Sequence, residues 1–201
     1  MRLLFVVHRY APYPGGSEYY VQNMAEEMLR RGHDVTVLAQ EHKGDYNEIK
    51  VSNDYQEMLG NQKWDLIVVH GGDCISQNIV HLNAETIPSP VLYMIVKPSE
   101  SDLCLQGLKH HRFIGYSTSM DIEHLKKHDV LNKARRIRHG IVPNKHYRAN
   151  LTEKKIFVSA GGFWYHKAMT PLATAFKKAK IPNAELHLYG YGEKDLMPTE
   201  N

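Results

Sequence analysis

Short apolar runs alternate with stretches of helical periodicity along most of this chain. Leu3 to Val7 is continuously apolar between Arg2 and His8. Such a run predicts a strand buried on both faces, as in a parallel sheet. Ala11-Pro-Tyr-Pro-Gly-Gly16 is a loop, and Ser17 is placed to cap a helix that carries Glu18 in its first turn. Val21, Met24, Ala25, Met28 and Leu29 recur on one face, and Gly32 is the expected stop. Val35 to Ala39 predicts a second buried strand. Residues 1–39 thus read as one β-loop-α-β unit with a right-handed crossover.

The alternation continues. Asp65 to His70 predicts a strand, Gly71-Gly72 a loop, and residues 74–84 a helix. Val91 to Val96 is another strand. A helix over 101–109 is interrupted by Gly107. Phe113 to Tyr116 is a short strand, Ser119 caps a helix through about Lys127, and Arg136 to His139 is a last short strand. Alternating strands and helices predict an open, doubly wound α/β sheet over a first domain, residues 1–150. Pro143 to Thr152 is polar and aperiodic. A second βαβ unit then occupies residues 151–201. It comprises a strand at Lys155 to Ser159, a loop at Gly161-Gly162 and a helix opened by Thr170-Pro171. Leu172, Ala175, Phe176 and Ala179 form the apolar face of that helix, and a strand at Glu185 to Tyr189 ends in Gly190-Tyr-Gly192. A unit of about fifty residues does not build an independent α/β core and leaves an unpaired edge. The expectation is a fragment, a unit packed on the first domain, or one completed by a partner.

Composition adds limits. The chain has 201 residues, 42% hydrophobic and 23% charged, as in ordinary globular proteins. A net charge of +3 is too mild to argue for nucleic acid. The 13 histidines form no metal-ligand spacing. Cys74 and Cys104 suit a reducing compartment. No apolar run approaches membrane length, so the expected location is cytoplasmic, with peripheral membrane contact as an option. The basic stretches Lys126-Lys127 and Lys133 to Arg138 read either as a solvated face or as a surface for anionic headgroups or nucleic acid.

Chemistry concentrates at the loops after the strands. Gly15-Gly16 follows a buried strand and opens a helix, where glycine lets a ligand approach and the free N–H groups favour phosphate. The same glycines also serve simply to make the turn. The pattern is not GxGxxG. His70 ends a buried strand, where it either donates to a sugar hydroxyl or phosphate or is a satisfied histidine. Lys97 follows another strand, as positive charge for a leaving phosphate or as a solvated lysine. Lys167 precedes a helix start, as a diphosphate ligand or a surface lysine. Phe163, Trp164 and Tyr165 make that loop aromatic, for stacking or for interface packing.

In order along the chain, these segments resemble family 4 glycosyltransferases of the GT-B type. The resemblance rests on the first strand with Pro-Gly-Gly, Arg30-Arg-Gly-His-Asp-Val-Thr-Val-Leu38, Asp65 to His70 and His139-Gly-Ile-Val-Pro143. It continues through Phe157-Val-Ser-Ala-Gly-Gly with Lys167, and Leu188-Tyr-Gly-Tyr-Gly-Glu193. It implies two Rossmann-like domains, the first facing an acceptor glycan or lipid-linked acceptor and the second holding a nucleotide-sugar donor. Transfer would retain configuration without a metal. By position Gly15 and Gly16 match the glycine loop near the donor phosphates, and Lys167 matches the diphosphate lysine. The arginine that often accompanies that lysine falls near Gly161. A histidine common in the family falls at Val96-Lys97, and His139 replaces an asparagine. The Glu-x7-Glu donor motif falls beyond Asn201. The resemblance therefore implies a sugar transferase that is incomplete or that needs a second chain or oligomer to complete the donor domain. A non-catalytic binding module of the same fold is the alternative.

Overall fold

In a computed structural model, the structure describes residues 1–71, 75–95, 107–138, 140, 154–163 and 167–192. The chain divides into two compact units, Met1–Ile141 and Val142–Asn201.

In the first unit, the apolar run at the N-terminus becomes β1 (Arg2–Arg9), and its alternate residues feed two cores. Leu3, Phe5 and Val7 join Val35, Val37 and Ala39 on one side of the sheet. Leu4 and Val6 join Leu38, Ile67 and Val69 on the other. Burial of both faces is what a continuous apolar strand encodes. The chain continues through α1 (Gly16–Arg30), β2 (Asp34–Glu41), β3 (Lys50–Ser52) and β4 (Leu66–His70). It then runs through α2 (Ile75–Leu82), β5 (Val91–Met94), β6 (Phe113–Tyr116), α3 (Met120–Lys127) and β7 (Ala134–Arg136). The sheet order is β3-β2-β1-β4-β5-β6-β7, and every pairing is parallel. Phe5 lies beside Val37 on one flank and Val68 on the other. This is the expected α/β doubly wound Rossmann-like sheet. Strand order reverses at β1 and β4, the switch point where open α/β sheets bind ligands.

α1 forms as its pattern requires. Val21 and Ala25 are buried, with Met24, Met28 and Leu29 packed beside them. Gly32 ends the helix at φ 82°. His33 N–H donates to Met28 C=O at 3.1 Å and Gly32 N–H to Leu29 C=O at 2.9 Å, a Schellman closure. The last strand lies at Ala134–Arg136, shifted toward the N-terminus from the expected Arg136 to His139. Its register with β6 sets that shift, Ile114 pairing with Ala134. Residues 107–110 are helical; the rest of the helix expected over 101–109 lies outside the described residues. So do Cys74, Cys104, His139 and the segment Pro143 to Thr152.

In the second unit, β8 (Lys155–Ala160) and β9 (Ala184–Tyr189) pair in parallel, with Val158 beside His187. The helix between them, α4, runs Met169–Ala179. Pro171 is therefore its third residue rather than its first. Proline is tolerated there because the first turn has no intrahelical acceptor for its missing N–H. The covered side of α4 runs through Met169, Ala173 and Phe176, while Leu172, expected to be covered, is 39% exposed. Phe176 meets Phe157 edge-on at 5.5 Å.

Candidate functional site at the sheet switch point

β1 ends at Arg9, and Tyr10 N–H still donates to Glu41 C=O of β2 at 3.1 Å. The chain then turns, and α1 begins at Gly16. Ser17 does not cap it. Gly15 holds the N-cap position in extended backbone, φ 168°, and no side chain caps the helix. Tyr19 N–H makes the first helical bond, to Gly15 C=O at 3.0 Å. Amides earlier in the turn have no acceptor within the helix, so its dipole end is open to an anion.

Glu18, third in the helix, folds back and accepts from Arg9 Nε at 3.0 Å. Its side chain is 8% exposed, against 40% for Arg9. A Cβ on Gly15 would run into that Glu18 carboxylate, whereas a Cβ on Gly16 would meet nothing within 4 Å. The two glycines therefore differ: Gly15 makes room for an internal ion pair, and Gly16 faces open space.

His70 is the last residue of β4 and is buried. Its ring lies 5.0 Å from that of Tyr20 on α1, tilted by 43°. Burial raises the Tyr20 phenol above its ordinary value. Beyond His70, Gly71 N–H donates to Met94 C=O at 2.7 Å. The structure thus joins His70 to the glycine-led helix through Tyr20, at the edge that the strand reversal defines.

In the second unit, Lys167 is exposed. It precedes Ala168, which occupies the N-cap of α4 in a left-handed conformation, φ 52°. No side chain caps this helix either. Gly161 and Gly190 serve backbone approach. Gly161 N–H donates to Tyr189 C=O at 2.9 Å, and a Cβ on Gly190 would clash with Gly161 C=O. Phe163 is buried and Gly192 pairs with it. Lys97, Trp164 and Tyr165 lie outside the described residues.

Sequence reasoning missed the Arg9–Glu18 pair and the contact of Tyr20 with His70. A signal for the first existed. A glutamate three residues after the N-cap is the position that folds back in a capping box; here it turns to a guanidinium instead. Among the described residues, no group of three His, Cys, Asp or Glu is placed to hold a metal. No described helix is long and apolar enough to cross a membrane.

No family model matches the chain, and no curated protein matches it significantly. Solved structures do match. The chain is similar to the lipopolysaccharide outer core galactosyltransferase WaaB in its apo form, with TM-score 0.62 and 11% identity, over 98% of this chain and 62% of that one. It is similar to WaaG, a glycosyltransferase involved in lipopolysaccharide biosynthesis, with TM-score 0.61 and 14% identity, over 96% of this chain and 64% of that one. The chain spans a little under two thirds of the length of each. At such identities the likeness is one of fold, and the fold is that of GT-B glycosyltransferases.

Proposed function

We propose that this glycosyltransferase fold transfers a sugar from a nucleotide-sugar donor to an acceptor hydroxyl, with retention, in the manner of family 4 enzymes. The observation that carries the reading is the open start of α1 at the sheet switch point, where Gly16 faces empty space beside a strand end closed by His70. In this reading residues 1–150 form the acceptor-side domain and residues 151–201 begin the donor side. The donor diphosphate meets the Gly15-Gly16 amides, and Lys167 and Lys97 offset the charge that develops on it as the glycosidic bond breaks. The acceptor, a glycan or a lipid-linked hydroxyl, attacks the anomeric carbon. His70 is buried beneath this edge, so it acts chiefly by setting Tyr20 and the first turns of α1. The proposed setting is cytoplasmic.

Calorimetric titration with UDP, GDP and their sugars tests the reading, with Lys167→Ala as the comparison. The expected result is nucleotide binding that Lys167→Ala weakens by tenfold or more, about 1.4 kcal/mol. Absence of binding at millimolar nucleotide would overturn the donor-side assignment and favour a binding module that transfers nothing.

A further inference from the structure

Among the 13 histidines one metal-ligand spacing does occur, His124-x3-His128, contrary to the expectation that none does. Both belong to α3, His124 within it and His128 as its C-cap. Residues four apart share one face of a helix, a turn apart along its axis. The two ring centres lie 4.8 Å apart, with the planes at 58°.

The backbone that carries the pair is fixed along its length. Leu125, next to His124, is fully buried. At the first turn, the Asp121 carboxylate accepts from Thr118 N–H at 2.8 Å. The last turn ends in a Schellman closure. Val130 N–H donates to Leu125 C=O and Asp129 N–H to Lys126 C=O, both at 3.1 Å, with Asp129 at φ 53°. A ligand that bridges the rings therefore orders two side chains and no backbone, which keeps its entropic cost small.

The spacing fits a metal ion. With a metal–nitrogen bond of about 2.1 Å and about 1.1 Å from ring nitrogen to ring centre, two imidazoles on one ion stand roughly 4.5–5.2 Å apart at bond angles of about 90–110°. The observed 4.8 Å falls inside that span. His81 and His111 stand at a similar 4.9 Å. Those two rings are buried and hydrogen-bonded to each other at 2.9 Å, so no hydrated ion reaches them. His124 and His128 are only half-buried, within reach of an ion from solvent. Imidazole nitrogen suits Cu2+, Zn2+ and Ni2+, whereas Mg2+ and Ca2+ take oxygen. The negative end of the helix dipole favours a cation at this last turn, against repulsion from exposed Lys126 and Lys127 on the same turn.

We propose that His124 and His128 form a two-imidazole site for a divalent transition-metal ion, Cu2+ most tightly and Zn2+ or Ni2+ less so. Among the described residues no group of three His, Cys, Asp or Glu is placed to hold an ion, so water fills the remaining positions. The site does not depend on sugar transfer or on Lys167.

Electron paramagnetic resonance of the untagged full chain with one equivalent of Cu2+ tests it, beside calorimetric titration with Cu2+ and Zn2+. The expected spectrum shows two equatorial nitrogens, with one ion per chain. His124→Gln and His128→Gln should each weaken Cu2+ binding by roughly tenfold or more and leave a single coordinating ring. Zn2+ should raise the wild-type melting temperature by about 3–5 °C for each tenfold of free ion above Kd, and H124Q/H128Q should show no such rise. His33→Gln, on another element, should behave as the wild type. Near-UV circular dichroism checks that each variant is folded, and His128→Gln, at the helix cap, decides alone should His124→Gln unfold. A one-nitrogen spectrum, wild-type affinity in either folded variant, or no binding of either ion at millimolar concentration overturns the proposal.

Discussion

Nε2 of His111 lies 2.9 Å from Nδ1 of His81, and both rings are buried. Tyr93 stacks on His111 at 5.4 Å and 17° and meets His81 edge-on at 4.4 Å. Gly107 packs so near His81 that a Cβ there would fall 2.8 Å from the Cβ of His81. The cluster joins α2, β5 and the turn at 107–110 in one apolar region. Burial, and then the charges of His81, Lys133 and His110, push the His111 imidazole down to about 3.

That depression gives a signed pH dependence. The folded protein resists protonation at His111 while the unfolded chain accepts it near 6.5. Stability is therefore fully present above about pH 6.5 and is lost as pH falls toward about 3. The slope approaches roughly 1.4 kcal/mol per pH unit in that window. Urea unfolding between pH 7.5 and 4 should show it, and His111→Phe should flatten the curve. A wild-type curve no steeper than that of the variant would discard this account.

The two glycines at the start of α1 should separate cleanly. Gly16→Ala adds a methyl to open space at a helical position, so thermal stability should hold or rise by about 0.4–1 kcal/mol, while nucleotide binding weakens. Gly15→Ala forces Glu18 off Arg9 and should cost about 1–3 kcal/mol. Melting curves and calorimetry on the pair check this. Unchanged nucleotide affinity in Gly16→Ala would remove that glycine from the donor site.

The contact of Tyr20 with His70 should be measurable as a coupling. A double-mutant cycle of Tyr20→Ala and His70→Ala is expected to give an interaction of about 0.5–1.5 kcal/mol. Amide exchange at Ser17 to Tyr19 should quicken in either single variant. Strict additivity would mean that His70 does not set the first turns of α1.

Much of this architecture was legible in the sequence because it is local. The run Leu3 to Val7, the periodicity from Val21 to Leu29 and the Gly32 stop each depend on near neighbours, and each appears as expected. What escaped depends on distant pairs. β3 has three residues and exists through its pairing with Thr36 to Leu38. The π-helical turn Gln56–Asn61 is held partly by Trp64, whose Nε1 donates to Met58 C=O at 2.6 Å. Glu18 read as an acid at a dipole end, because nothing near it in the chain announces Arg9. The identity of Gly15, Gly16 and His70 as candidates was legible from strand ends, but the contact of His70 with Tyr20 followed only from the approach of α1.

Gly71 holds β4 against β5 at the strand ends, and the atoms that would meet a Cβ there are the Met94 carbonyl and the Tyr93 ring. A backbone carbonyl cannot rotate aside as a lysine tip can. Every other residue brings that carbon, so no amino-acid replacement at this position is silent in structure. In a saturation library selected for folded protein, position 71 should therefore empty of all nineteen alternatives, while position 16, a few residues from the same site edge, keeps many.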